Sequence, residues 1–329
     1  MAAEDAAFFD RFRSAIARLP TGLIRARPAA MPEEIARAEA ALGRPLPDRY
    51  ATFLRSFDGA DLFHESVLIA GVGPGAPRLL AALGQDRPDA LVFAEALSGD
   101  RYAIDDAGRV LRYDPDAEEP ALAGTTFEHW LDATVAREQI LFGPDGEYAP
   151  DVFDPAGQEI VPTIALRQAE RALKIDPGAA DAAHARGLAL ARLGRPDAAL
   201  AAFCAATELD AANPWPWFDL GRTALALRKP AQALPAFRHA AAAAREEPTA
   251  ARLLAWAVRA AATAGDEASA AALRSEALAR DPRLVDGLVR AAASAAAEGE
   301  EEGSAEELAL LEAVAPGTPV PRRLPVIPH

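Results

Sequence analysis

The stretch Met31–Gly59, MPEEIARAEAALGRPLPDRYATFLRSFDG, decides the fold of the first half of the chain. Its spacing predicts two short helices joined at a Gly-containing turn. Pro32 suits a first helical position, where its missing N–H has no partner to lose. Glu33 and Glu34 follow in the first turn, where the helix dipole favours negative charge. Ile35, Ala38 and Leu42 share one face, and Gly43 ends the helix. Leu46-Pro47 opens the second helix, with Tyr50, Phe53, Leu54 and Phe57 on its apolar side. Asp58-Gly59 stops it. No residue here carries chemistry, so the stretch speaks for a fold and not for a reaction.

The order Pro32, Glu33-Glu34-Ile35, Glu39, Leu42-Gly43, Leu46-Pro47, Tyr50, Phe53-Leu54 and Asp58-Gly59 resembles the opening of a SUKH-superfamily (Smi/Knr-type) domain. That family takes in a fungal cell-wall-synthesis regulator and many bacterial toxin-immunity proteins. The resemblance implies an α+β domain with helices packed on a mainly antiparallel sheet, and it covers roughly Pro32 to Gln139.

Outward from this stretch, Phe8, Phe9, Phe12 and Ile16 predict a leading helix. Val67–Ala70 and Leu91–Phe93 read as strands, and Arg101–Ile104 with Arg109–Tyr113 flank Asp105-Asp-Ala-Gly108 as a hairpin. Val72–Asp89 reads as a variable loop. Thr125 with Glu128 forms a capping-box pattern before Phe127, Trp130, Leu131 and Val135. A Phe-x-x-Trp-Leu helix at this place is also what the resemblance implies. The first domain is expected over 1–145, and the Gly- and Pro-rich residues 146–161 read as a linker.

From 162 to about 315 the chain repeats. Gly187 and Gly221, Leu193 and Leu227, Pro196 and Pro230, Ala199 and Ala233, and Phe203 and Phe237 are each 34 residues apart, the period of a tetratricopeptide (TPR) repeat. Trp217-Phe-Asp-Leu-Gly221 resembles that repeat's Trp-x-x-Leu-Gly signature. Small Gly and Ala let paired helices approach, and Trp217 and Phe237 are expected in the core. Arg274 stands where a later unit would place an aromatic, Glu300–Glu302 reads as a solvated turn, and 316–329 as an irregular tail. An all-α solenoid is expected here.

The net charge of −15 is unevenly placed. Residues 51–160 hold 21 acidic and 7 basic side chains, a balance of −14, whereas 161–329 hold 21 and 19, a balance of −2. Phosphate binding needs Lys and Arg, which argues against nucleic acid as a ligand of the first domain. A basic protein partner suits it. The single cysteine, Cys204, excludes an internal disulfide and fits a reducing compartment. The start lacks the basic and apolar regions of a signal peptide, and no apolar run approaches membrane length, so the expected location is cytoplasmic.

Nothing in the sequence assembles a catalytic, metal or cofactor site. Gly71-Val-Gly-Pro-Gly75 departs from both nucleotide-loop spacings. The five histidines are scattered. Cys204 reads as a small hydrophobe on a repeat helix. The expectation is therefore a non-catalytic binding protein of the immunity type, whose acidic domain occludes a basic toxin surface. The alternative is a repeat scaffold or adaptor that holds a peptide segment. For the first, Asp105, Asp106, Asp114, Asp116, Glu118 and Glu119 are the candidate contact residues. For the second, the repeat register places His184, Leu188, Arg192, Trp215, Phe218, Arg222, Arg252 and Arg259 on the inner face. The Asn and Lys pattern of that family's carboxylate clamp is absent, so its specificity does not carry over.

Overall fold

The computed structural model describes residues 2–76, 82–83, 87–115, 119–298 and 301–319. The chain divides into two compact units, Met1–Arg195 and Pro196–His329.

In the first unit, α1 (Ala2–Ile16) and β1 (Ile24–Ala26) precede the expected helix pair, α2 (Pro32–Leu42) and α3 (Asp48–Leu54). Glu34 closes the start of α2, its Oε2 accepting from the Met31 N–H at 2.8 Å. The strands are β2 (Ala60–Leu62), β3 (Val67–Ile69), β4 (Ala82–Leu83), β5 (Arg87–Ala96), β6 (Arg101–Ile104), β7 (Val110–Tyr113) and β8 (Ala121–Gly124). Every pairing is antiparallel, in the order β1-β2-β3-β5-β6-β7-β8 with β4 beside β5. The expected strands and hairpin are therefore present. Four short strands, β1, β2, β4 and β8, were not read, because two to four residues show too little alternation. The expected loop 72–89 is described only in part, without residues 77–81 and 84–86, and it is not wholly loop, since β4 lies inside it and β5 begins at Arg87.

An aromatic cluster holds the helices to the sheet. Phe127, which opens α4 (Phe127–Glu138), has its ring centroid 5.3 Å from both Phe53 and Phe93 and 5.8 Å from Tyr50. Trp130 meets Phe93 edge-on at 4.8 Å. Such tilted and T-shaped pairs add to the stabilisation from burial alone.

The glycine loop after β3 is explained by Asp58. Its Oδ1 accepts from Val72 N at 2.6 Å and Gly73 N at 3.1 Å, and Arg27 donates to the carbonyls of Pro74 and Gly75. A Cβ on Gly71 or Gly73 would lie 2.6 Å or less from Asp58 atoms. The glycines let the backbone close around a carboxylate of the chain itself, which leaves no phosphate cradle.

The cap of α4 is shifted by one residue from the sequence expectation. Thr126 is the N-cap and accepts from the His129 N–H at 3.1 Å. Thr125 instead donates through its N–H (2.6 Å) and hydroxyl (2.9 Å) to Asp176. Asp176 ends α5 (Pro162–Ile175), which packs on α4, and α6 (Ala180–Arg192) follows against β8. The compact unit thus continues past 145 to Arg195. Arg112 of β7 clamps Asp181 of α6 with two hydrogen bonds, 2.8 and 3.1 Å, and also reaches Asp100 at 3.0 Å. Burial alone would raise the Asp181 pKa, but Arg112 beside it prevails and holds it below the usual carboxylate value.

Asp181→Asn is expected to lower the stability of this unit by about 1.5–3 kcal/mol at pH 7, the range for hydrogen bonds to charged groups. Because the carboxylate gives up its proton more readily folded than unfolded, this contribution is complete above the unfolded value of about 3.9. It is lost as pH falls through the lower folded value, so the gap between parent and variant should close in acid. Urea unfolding at pH 7 and pH 3 measures both; a constant gap would contradict the assignment.

The segment 142–161 is ordered by two bridges, Phe142↔Tyr148 and Phe153↔Ile160, and Val152 is buried. Its aromatic rings continue from Phe63. Phe63 stacks on Phe142 at 5.4 Å, Phe142 on Tyr148 at 4.7 Å, and Tyr148 meets Phe153 edge-on at 5.0 Å.

The second unit holds α7 (Pro196–Leu209), α8 (Pro214–Ala226), α9 (Pro230–Ala243), α10 (Glu247–Thr263), α11 (Glu267–Arg280), α12 (Leu284–Glu298) and α13 (Glu301–Val314). The repeat signature has a direct cause at Gly221. A Cβ there would meet the Phe237 ring at 2.6–2.8 Å, so glycine is what lets α8 and α9 close on that ring. Phe237 is fully buried as expected, but Trp217 is not a core residue. It stacks on His239 at 4.6 Å and donates to the Ala211 carbonyl at 3.2 Å, at the edge of the helix pair. The central aromatic is Trp256, stacked on Phe237 at 5.6 Å.

Candidate functional site

Among the described residues of the first unit, acidic groups gather at both ends of the sheet. At the β6–β7 turn, Asp105 is buried and serves the turn itself. Its Oδ1 accepts from the N–H groups of Ala107 (3.0 Å) and Arg109 (2.9 Å), and its Oδ2 takes the Arg109 guanidinium at 2.8 Å. Asp106 is exposed. Asp114 lies 3.5 Å from Arg112, Glu119 is buried, and Asp116 and Glu118 lie outside the described residues. With Asp105 and Glu119 buried, the described candidates do not form one exposed acidic rim, and composition could not separate a turn-bound aspartate from an exposed one.

The second acidic surface is at the other end of the sheet. The Leu97 N–H donates to the Ser66 carbonyl, which brings the β2–β3 and β5–β6 turns together, opposite the β6–β7 turn. Tyr148, half exposed, packs through Phe142 onto Phe63 of the β2–β3 turn, and Leu97 at the same end is 78% exposed. Asp145, Glu147 and Asp151 beside Tyr148 are exposed, and no Lys or Arg occurs between Arg137 and Arg167. Sequence reading missed this surface because its Gly and Pro content resembles a linker.

In the second unit, α8 and α10 bring Phe218, Arg222 and Arg259 around Trp256. Phe218 meets Trp256 edge-on at 5.5 Å, and the Arg222 and Arg259 guanidinium carbons lie 5.7 and 5.1 Å from the Trp256 ring centroid. Trp215 is 6.1 Å from Phe218. His184 and Arg192 belong to the first unit, where Arg192 pairs with Glu159 at 2.7 Å. Trp256 was missed, although it falls one 34-residue step after Arg222.

The SMI1/KNR4 family (SUKH-1) profile matches residues 29–133, and a tetratricopeptide repeat profile matches residues 180–213. The chain carries a SUKH domain followed by tetratricopeptide repeats. The SUKH match takes in the α2–α3 pair, the sheet from β2 to β8 and the start of α4. The repeat match covers α6 and α7, and the helices from Pro162 to Val314 make up the all-α part.

No curated protein matches the chain. Among solved structures it is similar to MamA (41-end) from Desulfovibrio magneticus RS-1, at 20% identity and a TM-score of 0.33, over 46% of this chain and 85% of that one. It is also similar to YrrB, described as a TPR protein with an unusual peptide-binding site, at 22% identity and a TM-score of 0.34, over 47% and 79%. PilF of Pseudomonas aeruginosa gives 18% identity and a TM-score of 0.33, over 58% and 77%.

SUKH domains and tetratricopeptide repeats are generally non-catalytic, and their combination supports a role in protein interaction. Among the described residues no group of His, Cys, Asp or Glu is arranged to hold a metal ion. Cys204 is half-buried, and burial, with Glu208 nearby, pushes its thiol pKa up, away from thiolate chemistry. No helix among the described residues is long and apolar enough to cross a membrane.

Proposed function

We propose that this chain is a non-catalytic protein-binding protein of the immunity type, whose SUKH domain, together with the 142–161 segment packed on it, occludes a basic surface of a toxin. The observation that carries the reading is the half-exposed Tyr148, stacked on Phe142 and flanked by the exposed Asp145, Glu147 and Asp151. Tyrosines anchored on one side and wet on the other are frequent centres of protein interfaces. Carboxylates around such an anchor speed encounter with a basic partner and set its register. Asp106, at the opposite end of the sheet, is the remaining exposed candidate of the β6–β7 turn.

The test uses the full chain and the product of a flanking gene that arrests growth. Tyr148→Ala should weaken the complex at least tenfold. Reversing Asp145, Glu147 and Asp151 to Lys should slow association and flatten its salt dependence. Asp106→Lys should change neither. Unaltered affinity in the Tyr148 variant, or a large effect of Asp106→Lys, would move the contact away from the 142–160 segment.

A further inference from the structure

The face of the second unit that carries Arg222 and Arg252 is covered by α13, the last helix of the described residues. α13 packs against α10 and α12, and its Leu310, Leu311 and Val314 are buried in the cluster that contains Phe237 and Trp256. Its sequence, EEGSAEELALLEAV, carries five glutamates and no cation. Glu306 pairs with Arg222 at 3.0 Å and Glu307 pairs with Arg252. At its other end the Arg274 guanidinium donates twice to the Ala313 carbonyl, at 2.9 and 3.0 Å. The arginine at a position expected to be aromatic thus neutralises the negative end of α13.

The fit is incomplete. Glu307 Oε2 is buried without a hydrogen-bond partner, and Arg259, over Trp256, faces no carboxylate among the described residues. A buried oxygen left without a donor costs free energy, and a guanidinium already desolvated on one side by an aromatic ring is ready for a charged acceptor.

We propose that this face is a binding site for an acidic amphipathic helix of a partner protein, with α13 as the chain's own occupant. The partner helix carries adjacent carboxylates opposite Arg222 and Arg252, a further one opposite Arg259, and Leu or Val one turn on to cover Trp256. Charge complementarity and the seated α13 argue for this occupant over a basic or wholly apolar one. The site stands on the repeat unit and is independent of whether the SUKH domain meets a toxin.

A tethered occupant competes at millimolar effective concentration, so a free helix of equal intrinsic affinity binds the intact chain weakly. The test is fluorescence anisotropy with a labelled synthetic peptide of residues 299–316, added to the full-length protein. A chain with Glu306→Lys and Glu307→Lys should bind the peptide at least tenfold more tightly than the parent. Adding Arg222→Glu and Arg252→Glu should abolish that binding. Equal affinity in parent and double variant, no binding to either, or binding that survives the arginine reversals would overturn the proposal.

Hydrogen exchange on the unaltered chain gives a reading that does not depend on the variants folding. Excess mass-tagged peptide should speed exchange of the 301–314 amides several-fold, and unchanged exchange would again overturn it.

Discussion

Phe127→Ala should lower the stability of the SUKH unit by about 3–5 kcal/mol, the range for removing a fully buried aromatic ring. Phe127 has no exposed surface and lies within 6.5 Å, centroid to centroid, of Phe9, Tyr50, Phe53, Phe93 and Trp130. The cavity would open where α1, α3, α4 and β5 meet, and rings that hold one another in place have little freedom to collapse into it. Urea unfolding followed by far-UV circular dichroism reads the loss, and a change below about 1 kcal/mol would contradict the central place given to this ring.

Phe237→Ala should have an effect of the same size, about 3–5 kcal/mol, on the repeat unit. Its ring fills the space that Gly221 leaves open and stacks on Trp256. The comparison that makes this specific is Trp217→Ala, expected to cost about 1–2 kcal/mol, because that partly buried indole loses one ring stack, one hydrogen bond of ordinary net worth and partial packing against the core. If Trp217→Ala proved as damaging as Phe237→Ala, the packing order of α8, α9 and α10 would be wrong. Trp217 carries the more recognisable motif and Phe237 the larger share of the core.

These two residues show what the sequence could reveal. The 34-residue period was legible because close approach of paired helices demands a small residue at Gly221 and a ring at Phe237, and the same pair stands one period earlier at Gly187 and Phe203. Which aromatic sits deepest was not legible, since Trp217 and Phe218 are neighbours on one helix and a period alone does not say how far each is turned inward. Trp256 stayed hidden because the equivalent position one repeat earlier is Arg222.

The helix pair at Met31–Gly59 was legible from its breakers and apolar spacing. The bonding of Thr125 to Asp176 was not, because it joins positions 51 apart in the chain. The hairpin carboxylates illustrate a related limit. Asp105 is consumed by the N–H groups of its own turn, and nothing local in the sequence distinguishes it from the exposed Asp106. The 146–161 segment read as a linker from its Gly and Pro, whereas Phe142, Tyr148 and Phe153 hold it through ring contacts that composition does not display.

Growth under toxin expression tests the proposed function most directly. Each gene flanking that of this chain is placed under inducible control, with and without co-expression of the full chain, and the two proteins are then mixed and sized. One flanking product is expected to arrest growth, the full chain to restore it, and the purified pair to form an equimolar complex that weakens as salt rises. Growth arrested by neither product, or restored without any complex forming, would contradict an immunity role based on occlusion.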